Sequence, residues 1–217
     1  MSFFVWTKMQ TESGINLPAI LSLKEAERLA GDGIFWWGVG NSLGSAVQER
    51  ATEAGGTLPV LFSLMLSRPQ KRDTEPHGIR LWTQWEDGKG RHDLPAHVLE
   101  FSASHDRERD HHYALVCHSS VPLAVASHGA FDPKNCKTVS GKPPGSIQTT
   151  VLLDGDPYTG HSTGNYHFGF RATLVRPWAA KLVSPRMLSS SDVGLFQSWK
   201  NSWRSFVEDT RTSALPT

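Results

Sequence analysis

The chain has 217 residues, of which 38% are hydrophobic and 20% charged, with a formal net charge of +1. That balance supports a packed core and excludes a disordered chain, as well as one drawn onto nucleic acid by overall charge alone. Two cysteines are too few for a disulfide scaffold and read as thiols in a reducing compartment.

The opening MSFFVWTKMQ has no basic region before its apolar run, so no signal peptide is expected. No apolar run approaches the ~20 residues a bilayer span needs, and a cytoplasmic protein is expected. Residues 2–9 (SFFVWTKM) read as a buried first strand. Residues 11–18 carry turn residues, and residues 19–29 have helix-forming composition with Ile20, Leu23 and Ala26 on one face. Gly31-Asp32-Gly33 ends that helix and opens a strand at residues 34–39 (IFWWGV). Its adjacent Trp36 and Trp37 must point to opposite faces. One therefore belongs to the core, and the other packs under a further element or lines a pocket.

Residues 45–53 read as a short polar helix stopped by Gly55-Gly56. Residues 58–67 (LPVLFSLMLS) form the most apolar strand, buried on both faces, and residues 68–77 an exposed loop. Residues 79–85 (IRLWTQW) alternate as one half-buried strand whose second face carries Trp82, followed by a turn at residues 86–91. A strand at residues 98–103 precedes a charged loop at residues 105–112. Residues 113–118 and 123–127 read as a hairpin, residues 131–146 as loop, and residues 148–153 as a strand. A turn-rich loop at residues 154–165 leads into a strand at residues 166–175. Near the end, Ser191 N-caps a helix with Leu195, Phe196, Trp199, Trp203 and Phe206 on one face. The sum is about eight to ten strands with two or three helices. The expected fold is α+β and β-rich, one domain over residues 1–217. It is a closed or nearly closed barrel with a few flanking helices and an amphipathic helical extension at residues 183–217.

Gly38-x-Gly40-x-x-x-Gly44 lies between a strand and a helix, as a phosphate-binding turn would. No acidic residue ends the next strand, and the βαβ rhythm is missing, so no nucleotide cofactor is expected. His105, His111 and His112 share a loop with Asp106, Glu108 and Asp110. Mixed charges there read as a solvated surface, and no metal is expected. Cys117 and His118 are adjacent and face opposite ways. Arg68, Lys71 and Arg72 form one basic loop cluster and Lys134, Lys137 and Lys142 another, either suited to phosphates. Eight tryptophans are many for this length. Trp6, Trp36, Trp37, Trp82 and Trp85 on strands can stack a base or hold a methyl group, at ~1–3 kcal/mol per stacked base. The Asn41 amide can read a base edge.

Phe3-Phe4-Val5-Trp6-Thr7-Lys8, then Trp36-Trp37, Gly40-Asn41, Leu43 and Ala46, then Pro59-Val60-Leu61-Phe62-Ser63 follow one another in a telling order. Over about residues 3–85 this succession resembles the PUA-like superfamily, particularly its YTH and EVE branches. The resemblance implies a β-barrel whose pocket accepts a modified base of RNA or DNA. It implies Trp36 or Trp37 as a cage wall, Asn41 as a base-edge contact, and Lys8 and Ser42 as polar neighbours, with Trp6 among the stacking rings. Arg68, Lys71 and Arg72 would then meet the nucleic-acid backbone. The expected function is a non-catalytic reader of a modified base. Two alternatives are a metal-dependent hydrolase or nuclease using the His- and Asp-rich loops, and a protein-interaction subunit using the C-terminal helix.

Overall fold

In the computed structural model the described residues are 3–9, 17–40, 44–65, 79–103, 111–125, 133–144, 150–156 and 166–187. The strands are β1 (Phe3–Met9), β2 (Ile34–Gly40), β3 (Leu58–Met65), β4 (Ile79–Trp82), β5 (Gln84–Asp87), β6 (Gly90–Asp93) and β7 (Glu100–Ala103). They continue with β8 (His111–His118), β9 (Lys137–Thr138), β10 (Thr150–Asp154), β11 (Tyr166–Val183) and β12 (Arg186–Met187). The helices are α1 (Leu17–Ala30) and α2 (Gly44–Glu53). The main sheet runs β2-β8-β11-β3-β1-β10-β9, with β5 on β11 and β6 on β5, and a smaller sheet runs β12-β4-β7. β1 and β3 pair in parallel, so the main sheet is mixed. Among the described residues no ladder joins β2 to β9. The closed barrel expected from the strand succession is therefore met by an open sheet. No helix among the described residues is long and apolar enough to cross a membrane.

Alternation along the strands sorts side chains into three apolar clusters. On β1, Val5 and Met9 join the largest cluster, with Val60 and Phe62 of β3, Phe35 and Trp37 of β2, and Leu115 and Cys117 of β8. Leu17 and Leu21 of α1 and Val47 and Ala51 of α2 close over it. Phe4 and Trp6 point the other way, onto Leu61, Cys136, Val151 and Leu153. A third cluster gathers Trp36, Trp82, Val98, Ala114, Val116, Ala180 and Leu182. β3 is apolar on both faces because both are covered: Val60 and Phe62 lie in the largest cluster and Leu61 in the second.

Several expected elements are redrawn. Residues 79–85 are not one half-buried strand. The chain leaves the smaller sheet at Thr83 and enters the main one, and both Leu81 and Trp82 are buried. The expected turn at residues 86–91 is a hairpin of β5 and β6, whose polar sequence fits an exposed edge. His111 and His112 belong to β8, not to a loop. Residues 122–125 form no strand; Leu123 instead donates its backbone N–H to Glu25 (3.0 Å). β11 does not stop at Val175 but runs on past Pro177 to Val183. Its register against β8 shifts between Leu174 and Ala179, a bulge that absorbs the missing proline N–H. The buried face of α1 carries Leu17, Leu21, Lys24 and Glu27, whereas Ala26, expected inside, is exposed. The C-terminal helix expected after Ser191 lies outside the described residues.

Trp37 sits edge-on to Phe62, their ring centres 4.8 Å apart. Truncating it leaves a large void in a close-packed core. Trp37→Ala should lower unfolding free energy by about 3–5 kcal/mol, read as a shifted denaturant midpoint. A midpoint within error of the parent would show that this indole is not core.

Candidate functional site

The two tryptophans that drew attention in the sequence are both enclosed. Trp36 is 4% and Trp37 7% exposed, and they lie in different clusters on opposite faces of β2. Trp36 meets Trp85 edge-on at 6.0 Å. Trp6 is buried against the opposite end of the sheet and donates its indole N–H to Ser63 Oγ at 2.7 Å. Lys8, also buried, holds its Nζ 4.5 Å from the Trp6 ring centre. That cation–π contact follows from the strand period, which puts residues two apart on one face. The structure thus brings Trp6 and Lys8 together and keeps Trp36 and Trp37 apart. Asn41, Ser42, Arg68, Lys71 and Arg72 lie outside the described residues. Lys137 and Lys142 are exposed around β9.

One end of β2 carries a buried ionic cluster that composition alone does not announce. Lys24 Nζ donates to Glu27 Oε1 (2.9 Å), to the Leu99 carbonyl (3.2 Å) and to Glu100 Oε1. All three charged side chains are buried. The carboxylates also accept backbone donors. Glu27 takes the N–H of Trp36 (3.1 Å) and of Leu99 (3.0 Å), and Glu100 takes that of Gly38. A side chain at Gly38 would not fit: its Cβ would come within 2.8 Å of His112 Nε2 and 2.9 Å of Glu100 Oε2. His112 itself stacks on Trp82, ring centres 5.6 Å apart.

Burial works against the Lys24 ammonium, but the Glu100 and Glu27 carboxylates more than offset it and hold its pKa above the usual lysine value. Burial pushes the Glu100 carboxyl up to about 7, with Lys24 opposing and Glu27 adding to the rise. Burial likewise pushes the Cys117 thiol well above its ordinary range, which leaves it inert as a nucleophile. Among the described residues no three His, Cys, Asp or Glu side chains are grouped to hold a metal.

Among the described residues a shallow groove lies where the β11 bulge, the β5–β6 hairpin and α2 come together. It opens to solvent over about 910 Å3 and is lined by Trp85, Tyr113 and Trp178, with Arg176, Lys181, Lys89, Glu86 and Asp87 among its polar groups. That volume falls within the range of about 300–1,000 Å3 in which small-ligand sites are found. The β11 bulge builds one wall. Trp178 there has a positive φ of 62°, a region that bulky residues seldom occupy and that recurs at functional sites. Its indole N–H donates to the Gly56 carbonyl (3.0 Å) beyond the end of α2. The β5–β6 hairpin, paired to β11 past the bulge, supplies further lining.

Both groove carboxylates are already engaged. Glu86 is bound by Lys181 and lies 3.7 Å from Arg91. Asp87 accepts the N–H of Lys89 (2.7 Å) and of Gly90 (3.1 Å) and meets His92 Nε2 at 3.2 Å. The Lys89 bond above all, with His92 next, holds the Asp87 carboxyl below its usual range. Sequence reasoning named Trp85 but missed Tyr113, Arg176 and Trp178. The signal was the Arg176-Pro177-Trp178 triplet inside an otherwise strand-like run, since proline within a strand marks a bulge or an edge.

No family model matches the chain, and comparison with curated proteins and with solved structures likewise returns no match.

Glu100 also sets an expected pH dependence. With its folded pKa near 7 and its ordinary value at 4.5, the folded state keeps a proton that the unfolded chain releases in between. Stability therefore falls as pH rises through that window, by at most about 3 kcal/mol. Urea unfolding at pH 5 and pH 8 should show wild type losing ground against Glu100→Gln, which cannot ionise. A constant difference between the two would mean that Glu100 titrates normally.

Proposed function

We propose that the protein is a non-catalytic binding module of PUA-like architecture that holds a base of a nucleic acid, a modified base in the leading case. The seat of the base is the groove at the β11 bulge, not the space around Trp36 and Trp37. The observation that carries this reading is the pairing of aromatic side chains with two cations, Arg176 and Lys89, that meet no carboxylate among the described residues. Trp85, Tyr113 and Trp178 are half-buried and line one groove; Arg176 lies over the Trp178 ring and His92 meets the Trp85 ring at 4.6 Å, so a base has Tyr113 and the remaining ring faces to stack on. Flat rings of this kind bind bases by stacking, and they do so without a required sequence. An open groove also suits a strand that enters and leaves, whereas a small metabolite is more often enclosed. Gln48 and Thr52 of α2 lie exposed at the rim, where an amide and a hydroxyl can both donate to and accept from a base edge.

Tryptophan fluorescence titration with short single-stranded DNA and RNA, each with and without base methylation, tests the reading. Wild type should bind at least one of these, and Trp85→Leu or Tyr113→Ser should weaken that binding about 5- to 150-fold, the worth of one stacked base. The leucine keeps the apolar contact with Trp36, so a retained thermal midpoint certifies the fold. Binding to none of the oligomers, or equal binding by both variants, would overturn the proposal.

A further inference from the structure

The groove's two carboxylates are satisfied within the protein, and its cations are not equally so. Lys181 is tied to Glu86. Among the described residues, neither the Arg176 guanidinium nor the Lys89 ammonium meets a carboxylate. Arg176 instead lies over Trp178, its guanidinium carbon 5.1 Å from the ring centre. A guanidinium that lies over a ring face leaves in-plane N–H donors at its edge for another acceptor. Such a fork matches two oxygens of a phosphate.

The platform beneath it is held from two sides. The Trp178 ring is anchored by its N–H bond to Gly56, and its backbone is set by the bulge. Lys89, which also lines the groove, sits on a hairpin turn that Asp87 stiffens by accepting two successive backbone N–H groups. We infer that Arg176, lying over Trp178, is the phosphate seat of this groove, with Lys89 of the β5–β6 turn supplying a second positive charge. This rests on the base-binding reading above and names the part of the ligand that the rings do not hold. The shared chemistry is a phosphate, which a strand's phosphodiester or a free phosphate can each supply.

The test measures affinity of a single-stranded oligonucleotide across a salt series, for wild type, Arg176→Ala, Arg176→Lys and Lys89→Ala. Two neutralised phosphates on a single strand give a slope of log affinity against log salt near about −1.4, and loss of one moves it to about −0.7. Arg176→Ala and Lys89→Ala should each show the shallower slope, and Arg176→Ala a roughly tenfold loss at low salt. Arg176→Lys should recover the slope but not the full affinity, because an ammonium lacks the planar fork. A methylphosphonate oligomer of the same sequence should bind wild type and Arg176→Ala alike.

Pyrophosphate alone separates the two phosphate sources. If it binds in an Arg176-dependent way while no oligonucleotide binds, the seat stands and the base reading falls. If Arg176→Ala keeps the wild-type slope and affinity for a strand that Trp85→Leu weakens, the base reading stands and the seat is elsewhere. If wild type binds neither probe, both are lost.

Discussion

The free edge of β2 is the constraint on which the rest of the structure depends. Among the described residues β2 is paired on one side only, by β8, so its outward N–H groups need partners that no described strand provides. Three successive outward donors find them one by one. Ile34 N–H goes to the Gly31 carbonyl, Trp36 N–H to Glu27, and Gly38 N–H to Glu100. Helix α1 and strand β7 thereby do with carboxylates what a neighbouring strand would do with carbonyls. Two buried carboxylates so close together would repel and resist burial, and Lys24 between them offsets that cost. Removing Lys24 would leave Glu27 and Glu100 buried without their counter-charge, which destabilises the folded state.

The same cluster joins the two sheets. β7 belongs to the smaller sheet, and Glu100 reaches from it to the end of β2. Beneath that seam Trp36 and Trp82 share one apolar cluster. Once the seam fixes Trp36, Trp85 packs edge-on against it, and Trp85 is also a wall of the groove. Core and candidate site are therefore in direct contact through a pair of indoles. The groove's other wall depends on β11, whose bulge turns Trp178 toward the end of α2. A site built this way takes its rigidity from strands, with Arg176 and Lys181 on β11 and Lys89 on the hairpin turn.

Much of the fold was legible in the sequence wherever burial was one-sided and residues were apolar. β1, β2, β3, β10 and both described helices fall close to the expected segments, because period-2 and period-3.6 patterns survive when neighbours are ordinary. The doubled tryptophan at residues 36–37 read correctly as one residue for each face. What it could not convey is that the second face is also covered, since the covering strand, β4, lies more than forty residues on. Charged residues misled in a different way. Lys24 and Glu27 look like solvated helix positions, and only the long-range partner Glu100 turns them inward. The β5–β6 hairpin was invisible because an exposed edge strand has no apolar face to betray it. Proline hid the second half of β11, where the usual rule that proline ends a strand is met by a bulge. The groove inherits both gaps: its hairpin and its bulge are the two elements that pattern reading passed over.

The position of β11 in the chain has a consequence for how the protein is made. It is the spine of the main sheet, bonded to β3, β8 and β5, yet its residues 166–183 come late in the sequence. A ribosome delivers the chain from the N-terminus at about 5–20 residues per second. Until β11 emerges, β8 has no link to β3, and the apolar faces of both await a partner. Pairings between distant segments carry a loop-closure cost and form slowly. For seconds the nascent chain therefore holds the β2–β8 pair and the β1–β3 pair without the strand that joins them, and that interval sets its exposure to misassembly.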